Sequence, residues 1–92
     1  MKDLNELRIE IDRIDRQIIP LFEERMALTA QVAAYKSATG KPVLDREHEL
    51  QKLAALKELA SCEENKEAVV ELFEQIMRIS REQQESIIST QN

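Results

Sequence analysis

Apolar residues recur alternately every three and four positions along the first part of the chain. In the register that starts at Leu4, nine of ten positions are apolar, namely Leu4, Leu7, Ile11, Ile14, Ile18, Leu21, Leu28, Val32 and Tyr35. The remaining position is Arg25. This spacing predicts one long α-helix, from about Leu4 to Thr39, with a continuous apolar face. Asp3 and Glu6 have the spacing of a capping box at its start, and Gly40 is suited to end it.

Two shorter helices are predicted from helix-capping residues and from apolar residues at helical spacing. Asp45 is placed as the N-cap of a second helix that runs to about Ala60. A third helix is expected from about residue 65 to residue 88, and Ser61 with Glu64 has the spacing of another capping box at its start. The predicted fold is therefore all-α, with three helices in one domain that covers residues 1–92.

Composition and length support this fold and add an expectation about assembly. Glycine occurs once, proline twice and tryptophan never, which favours helix and argues against a β-sandwich. Pro20 lies inside the first helix, where the unbroken apolar period predicts a kink rather than an end. A helix of about 35 residues is roughly 50 Å long, more than the diameter of a compact domain of this size. We therefore expect an intertwined homodimer in which the long helices pack together.

Charge and residue usage exclude several classes of function. The net charge of −5 and the aromatic content of 3% argue against a nucleic-acid partner. The single cysteine, Cys62, excludes an intramolecular disulfide, and the lone histidine has no partner at metal-ligand spacing, so no metal site is expected. No signal-peptide pattern and no apolar run of roughly 20 residues is present, so we expect a cytoplasmic protein without a membrane partner.

The first helix carries two cations on one face. Arg25, Thr29, Val32 and Lys36 follow the i, i+4, i+7, i+11 spacing of one side of a helix. The two cations lie about 16 Å apart along the axis and can hold the two ends of a compact dianion. The alternatives are a solvated lysine near a helix end for Lys36 and a buried arginine–glutamate pair for Arg25.

The other two predicted helices also place polar residues at positions that face inward. Ser80 and Gln84 interrupt the apolar stripe of the third helix. Buried neutral polar groups need hydrogen-bond partners, so they either bond the protein or face a polar cavity. The first turn of the second helix brings three further candidates to one side: Asp45, His48 and Glu49.

Arg8 is a candidate that its own chain cannot use. It precedes Arg25 by 17 residues, which places it about 100° away around the same helix. Across an antiparallel dimer, the start of one long helix lies beside the middle of the other. Arg8 can then enter the cavity of the partner chain.

The sequence as a whole resembles the all-helical class of chorismate mutases. The resemblance covers nearly the entire chain, from LRIEIDRIDRQII through ERMALTAQVAAYK and KPVLDREHE to FEQIMRISREQQ. It implies an intertwined homodimer of three-helix chains with two equivalent active sites. It also implies a reaction that needs no cofactor, the Claisen rearrangement of the dicarboxylate chorismate to prephenate in phenylalanine and tyrosine biosynthesis.

The resemblance implies a role for each candidate in catalysis. Arg25, together with Arg8 of the partner subunit, would clamp the substrate carboxylates by bidentate contacts. Lys36 and Gln84 would donate hydrogen bonds to the ether oxygen, where negative charge develops in the transition state.

The remaining candidates would bind and orient the substrate. Asp45 and Glu49 would orient the ring hydroxyl, Ser80 would bond a carboxylate or close the cavity, and Val32 would form an apolar wall. At His48 the chain departs from the family, which usually has arginine there. Because a histidine is shorter and mostly neutral at pH 7, we expect weaker substrate anchoring that improves toward acid pH.

Two other functions fit parts of the sequence. An isochorismate pyruvate-lyase on the same fold would share the cationic pocket. The complete set of candidate site residues on the second and third helices favours the mutase. A non-catalytic helical dimerisation or regulatory module would need none of Arg25, Lys36 and Gln84.

Overall fold

A computed structural model of the chain describes residues 1–91 and is almost entirely helical. The elements are α1 (Leu4–Thr39), α2 (Arg46–Leu59), a short 3-10 helix (Glu63–Asn65) and α3 (Lys66–Gln91). No strand occurs in these residues, and the predicted all-α fold of one long and two shorter helices is confirmed. None of the described helices has the length and hydropathy needed to cross a membrane.

Both predicted ends of α1 are confirmed. The Asp3 side chain accepts a hydrogen bond from the Glu6 backbone N–H at 2.9 Å, and the Glu6 side chain accepts one from the Asp3 N–H at 3.3 Å. Gly40 ends the helix with φ of 73°, a left-handed conformation that glycine adopts without strain. The helix continues through Pro20, and the kink expected there stays a prediction.

The predicted start of α2 is also confirmed, and α3 begins within one residue of its predicted start, but the capping box expected before α3 is wrong. Asp45 caps α2 by accepting from the His48 N–H at 3.1 Å. The capping box of Ser61 and Glu64 does not form, because Cys62 is extended, with ψ of 121°, and is the N-cap of the intervening 3-10 helix. No side chain caps that helix. A 3-10 turn therefore leads into α3, which begins one residue later than expected.

The third helix is the central element of the fold. It packs against both α1 and α2, whereas these two helices do not pack directly on each other within residues 1–91. The buried residues lie where α3 meets its neighbours, and they comprise two apolar and two polar side chains: Ala33, Met77, Ser80 and Gln84. The interior of one chain is therefore small and half polar.

The first half of α1 projects away from the other helices. We call residues 4–21 the N-terminal arm. Its apolar side chains are largely exposed, at 59% for Leu4, 56% for Ile11 and 55% for Ile18. The radius of gyration is 16.7 Å, whereas a compact chain of this length would have about 12 Å. A single chain therefore leaves the apolar face of the arm uncovered.

Candidate active site

A cavity of about 230 Å³ lies where α1, α2 and α3 come together. Eight of the nine residues that the sequence singled out line it: Arg25, Val32, Lys36, Asp45, His48, Glu49, Ser80 and Gln84. The fold thus brings together residues that are up to 59 positions apart in the sequence. Their individual roles stay predictions.

Arg8 is the one predicted site residue that lies elsewhere. It is on the N-terminal arm and lines a separate shallow cleft with Asn5, Ile9 and Asp12. The 17 residues between Arg8 and Arg25 span about 26 Å of helix axis. Arg8 therefore does not reach the cavity of its own chain, as its position around the helix predicts.

Arg25 is held toward the cavity by a hydroxyl group rather than by a carboxylate. Its Nη1 donates to the Ser80 Oγ at 2.6 Å, and that hydroxyl donates in turn to the Ile76 carbonyl at 2.9 Å. Ser80 is only 4% exposed, so this geometry is fixed by the interior. Within the described residues Arg25 has no ion-pair partner. Its charge and its other N–H donors are thus available to a ligand.

Lys36 ties the end of α1 to the segment that precedes α2. Its Nζ donates to the Val43 carbonyl at 2.7 Å, and the side chain is partly buried. The alternative of a freely solvated lysine is therefore not what the structure shows. An ammonium group has three donors, so two remain for a ligand in the cavity.

Gln84 is a buried amide without a protein partner. The residue is 5% exposed, and no described residue makes a hydrogen bond to its Oε1, which is buried. Leaving such a group unpaired costs about 1–3 kcal/mol. Because Oε1 is an acceptor, a ligand in the cavity that donates a hydrogen bond would supply the missing partner.

A polar contact between α1 and α3 holds Thr29 beside the cavity. Gln83 Nε2 donates to the Met26 carbonyl at 2.9 Å, and the Thr29 hydroxyl lies 2.7 Å from Gln83 Oε1, to which it donates. Thr29 itself lines the cavity. The sequence placed Thr29 on the right face of α1 but did not indicate its partner Gln83.

An ion pair that the sequence did not indicate joins α2 to α3. Arg81 Nη1 donates to Glu49 Oε1, and both residues line the cavity. The spacing of Met77, Arg81 and Gln84 is i, i+4, i+7, which places Arg81 on the same side of the helix as two buried residues. That pattern could have revealed it. Lys52, four residues after His48, could have been found in the same way.

The cavity is positively charged although the whole chain is negatively charged. Four cations and two carboxylates line it: Arg25, Lys36, Lys52 and Arg81 against Asp45 and Glu49. With a neutral histidine the excess is two positive charges, in a chain of net charge −5. This balance suits a small dianion. Across residues 1–91, no three His, Cys, Asp or Glu side chains are grouped so that they could hold a metal ion.

Known proteins are similar to this chain over much of its length. The family described as chorismate mutase type II matches residues 7–85. The chain is 38% identical over 81 residues to a bifunctional chorismate mutase/prephenate dehydratase from Aquifex aeolicus, covering 84% of this chain and 22% of that protein. It is 42% identical over 55 residues to a T-protein from Haemophilus influenzae, covering 60% of this chain and 15% of that protein. No solved structure matches with comparable significance.

The chain therefore corresponds to less than a quarter of the length of either relative. The family match extends into all three helices and includes every lining residue of the cavity. Because it covers most of the sequence, it shows that this chain belongs to the type II chorismate mutase family.

Proposed function

We propose that this chain catalyses the rearrangement of chorismate to prephenate, in the pathway to phenylalanine and tyrosine. The observation that carries the proposal is a cavity with two excess positive charges that is also lined by the buried amide of Gln84. Chorismate is a dicarboxylate, and its rearrangement is a concerted exchange of one bond for another that requires no nucleophile. Catalysis then consists of holding the reactive conformer and stabilising the charge that develops.

Lys36 and Gln84 are proposed to donate hydrogen bonds to the ether oxygen of the substrate. Negative charge builds on that oxygen as the carbon–oxygen bond breaks, so preorganised donors lower the barrier. Two of the ammonium donors of Lys36 are free, because only one is needed for the Val43 carbonyl. Gln84 would donate through Nε2 of its side-chain amide, and because the residue is only 5% exposed, little water has to be displaced when the transition state forms.

Arg25 is proposed to clamp a substrate carboxylate, with Ser80 as its support. The single proton of the Ser80 hydroxyl is directed to the Ile76 carbonyl, and its oxygen accepts from Arg25. A carboxylate accepts hydrogen bonds but donates none, so this arrangement favours a supporting role for Ser80 over direct contact with the substrate.

The α2 side of the cavity is proposed to orient the ring of the substrate. Asp45 and Glu49 offer carboxylate oxygens to the ring hydroxyl, and Val32 from α1 offers an apolar wall. His48 lines the same cavity and is exposed. Its side chain is shorter than that of an arginine, so it would contact a substrate carboxylate more weakly.

A second copy of the chain is proposed to complete the site. The apolar face of the N-terminal arm is uncovered in one chain, and an antiparallel partner would cover it and bring in Arg8 of the partner subunit. That arginine would raise the positive excess of the cavity and supply a second carboxylate clamp. The homodimer and the cytoplasmic location expected from the sequence both stay predictions.

The proposal is tested by following the loss of chorismate absorbance with purified protein. Turnover is expected for the unchanged chain and should be strongly reduced by Lys36→Ala and by Gln84→Ala. Lys41→Ala is the matched control, because Lys41 lies over the Tyr35 ring and outside the cavity lining. A folded protein that leaves chorismate unchanged would refute the mutase, and turnover of isochorismate alone would identify a lyase instead.

A further inference from the structure

The Arg81–Glu49 ion pair differs from all other ion pairs in the described residues. Its two side chains are 28% and 22% exposed, whereas every other pair has at least one side chain that is more than half exposed. It is therefore the pair least screened by solvent. Two other pairs, Lys57–Glu67 and Lys66–Glu58, also join α2 to α3, but neither lines the cavity.

The pair forms a wall between two cavities. The candidate active site lies on one side, and a second cavity of about 330 Å³ between α2 and α3 lies on the other. Glu49, Arg81 and Met77 line both. Glu49 therefore stays at the edge of the candidate site only if a group on α3 holds it there.

The hydrogen bond leaves half of the carboxylate free for a ligand. Arg81 Nη1 binds Glu49 Oε1, and within residues 1–91 no donor to Glu49 Oε2 is found. An ionised carboxylate accepts through both oxygens, so Oε2 can take a hydrogen bond from a substrate hydroxyl. Without Arg81, the positive excess of the cavity would fall from two charges to one, and an uncompensated anion would face a dianionic ligand.

We propose that Arg81 is a positioning residue that holds the Glu49 carboxylate at the cavity wall and offsets its charge. Glu49 can then accept the hydrogen bond of the substrate hydroxyl without repelling the substrate carboxylates. This inference rests on the proposed function, because it concerns how the same cavity accommodates a hydroxylated dicarboxylate.

The test is a double-mutant cycle on chorismate turnover with Arg81→Met, Glu49→Gln and the two combined. Arg81→Met should raise KM more than it lowers kcat, because the unpaired carboxylate repels bound substrate before and during the reaction. Once Glu49→Gln has removed that charge, Arg81→Met should have little further effect. Coupling between contacting residues is typically worth about 2- to 150-fold, and we expect kcat/KM to show at least about fivefold coupling within this range.

Two further variants separate positioning from general structural damage. Arg81→Lys should have a KM close to that of the unchanged chain, because it keeps the positive charge. Arg78→Met is the matched control: Arg78 lies on the same helix, pairs with Glu82 at 2.9 Å and lines only the second cavity. Its substitution should leave both kinetic constants unchanged. If Arg81→Met does not fold, the same cycle is measured with Arg81→Lys, whose smaller loss should likewise disappear with Glu49→Gln.

Two negative results are distinguishable. An unchanged chain that does not turn over chorismate refutes the proposed function and removes the basis of this inference. An active chain in which the effects of Arg81→Met and Glu49→Gln are additive overturns the inference alone, because Arg81 would then act independently of Glu49. A loss of thermal stability with no change in KM overturns it as well, since the pair would be merely structural.

Discussion

Replacing Ile14 by glutamate is expected to dissociate the proposed dimer and to abolish most of its activity. Ile14 lies in the middle of the apolar face of the N-terminal arm, between Ile11 and Ile18, and is 47% exposed in a single chain. If a second copy covers this face, the substituted carboxylate would be forced into an apolar contact. Loss of the dimer would also remove Arg8 of the partner subunit from the site.

The expected loss of association free energy follows from the exposed fraction of the Ile14 side chain. Complete burial of an isoleucine contributes about 1.5–3 kcal/mol, so covering the 47% that remains exposed contributes about 1 kcal/mol per chain. A buried carboxylate without a partner adds a cost of about 1–3 kcal/mol or more. With two chains per dimer, the loss is about 4 kcal/mol or more, which weakens association by roughly a thousandfold.

Sedimentation velocity over a range of protein concentrations measures the association, and chorismate turnover is followed on the same samples. Ile9→Glu is the matched control, because Ile9 is 70% exposed and lies about 140° around the helix from Ile14. It should leave the dimer intact. The kcat/KM of Ile14→Glu should fall at least as far as that of Arg8→Ala. A wild-type chain that is monomeric at concentrations where it is fully active would refute the reasoning.

Three further predictions concern α2 and its neighbours. His48→Arg should raise kcat/KM at pH 7.5, because an arginine is longer and permanently charged; an unchanged value would contradict the expected weak anchoring. Asp45→Ala should lower the free energy of unfolding in urea by about 1 kcal/mol, because it removes an N-cap, and Asp45→Asn should lower it less. The hydrogen bond and charge of Glu67 raise the pKa of Lys57 above its ordinary value of 10.5. This pair therefore stabilises the fold below that pH and loses its effect as pH rises through the raised pKa. An NMR titration should show a lower Lys57 pKa in Glu67→Gln.

The helix ends that the sequence predicted correctly depend on contacts within a few residues. The reciprocal hydrogen bonds of Asp3 and Glu6, and the left-handed conformation of Gly40, are properties of the local chain. The faces of the helices were also predictable, since helical spacing placed Arg25 with Lys36 and Ser80 with Gln84. That these residues serve one site was implied by the family resemblance, and the structure brings eight of the predicted residues to one cavity.

The remaining features depend on how the helices are placed against each other. Ser61 and Glu64 have the spacing of a capping box, yet the extended connection after α2 and the 3-10 helix before α3 leave no helical turn for them to cap. The contact of Arg81 with Glu49 requires that α2 and α3 present particular faces to each other, which no local pattern specifies. For the same reason, the sequence did not show that Ser80 would hold Arg25.

The proposed catalytic groups fall into two physical types, and each type suits a different part of the reaction. Ser80 and Gln84 are neutral, almost fully buried, and lie on the helix that packs against both others. The cations of α1 and α2 are more accessible and have long side chains that can follow a ligand. Transition-state stabilisation requires donors that do not reorganise as charge develops, whereas capture of a dianion from water requires only positive charge near the entrance. In a rearrangement without proton transfer, Gln84 and the Lys36 ammonium, which the Val43 carbonyl holds in place, should therefore determine the barrier. The other cations of α1 and α2 should determine affinity.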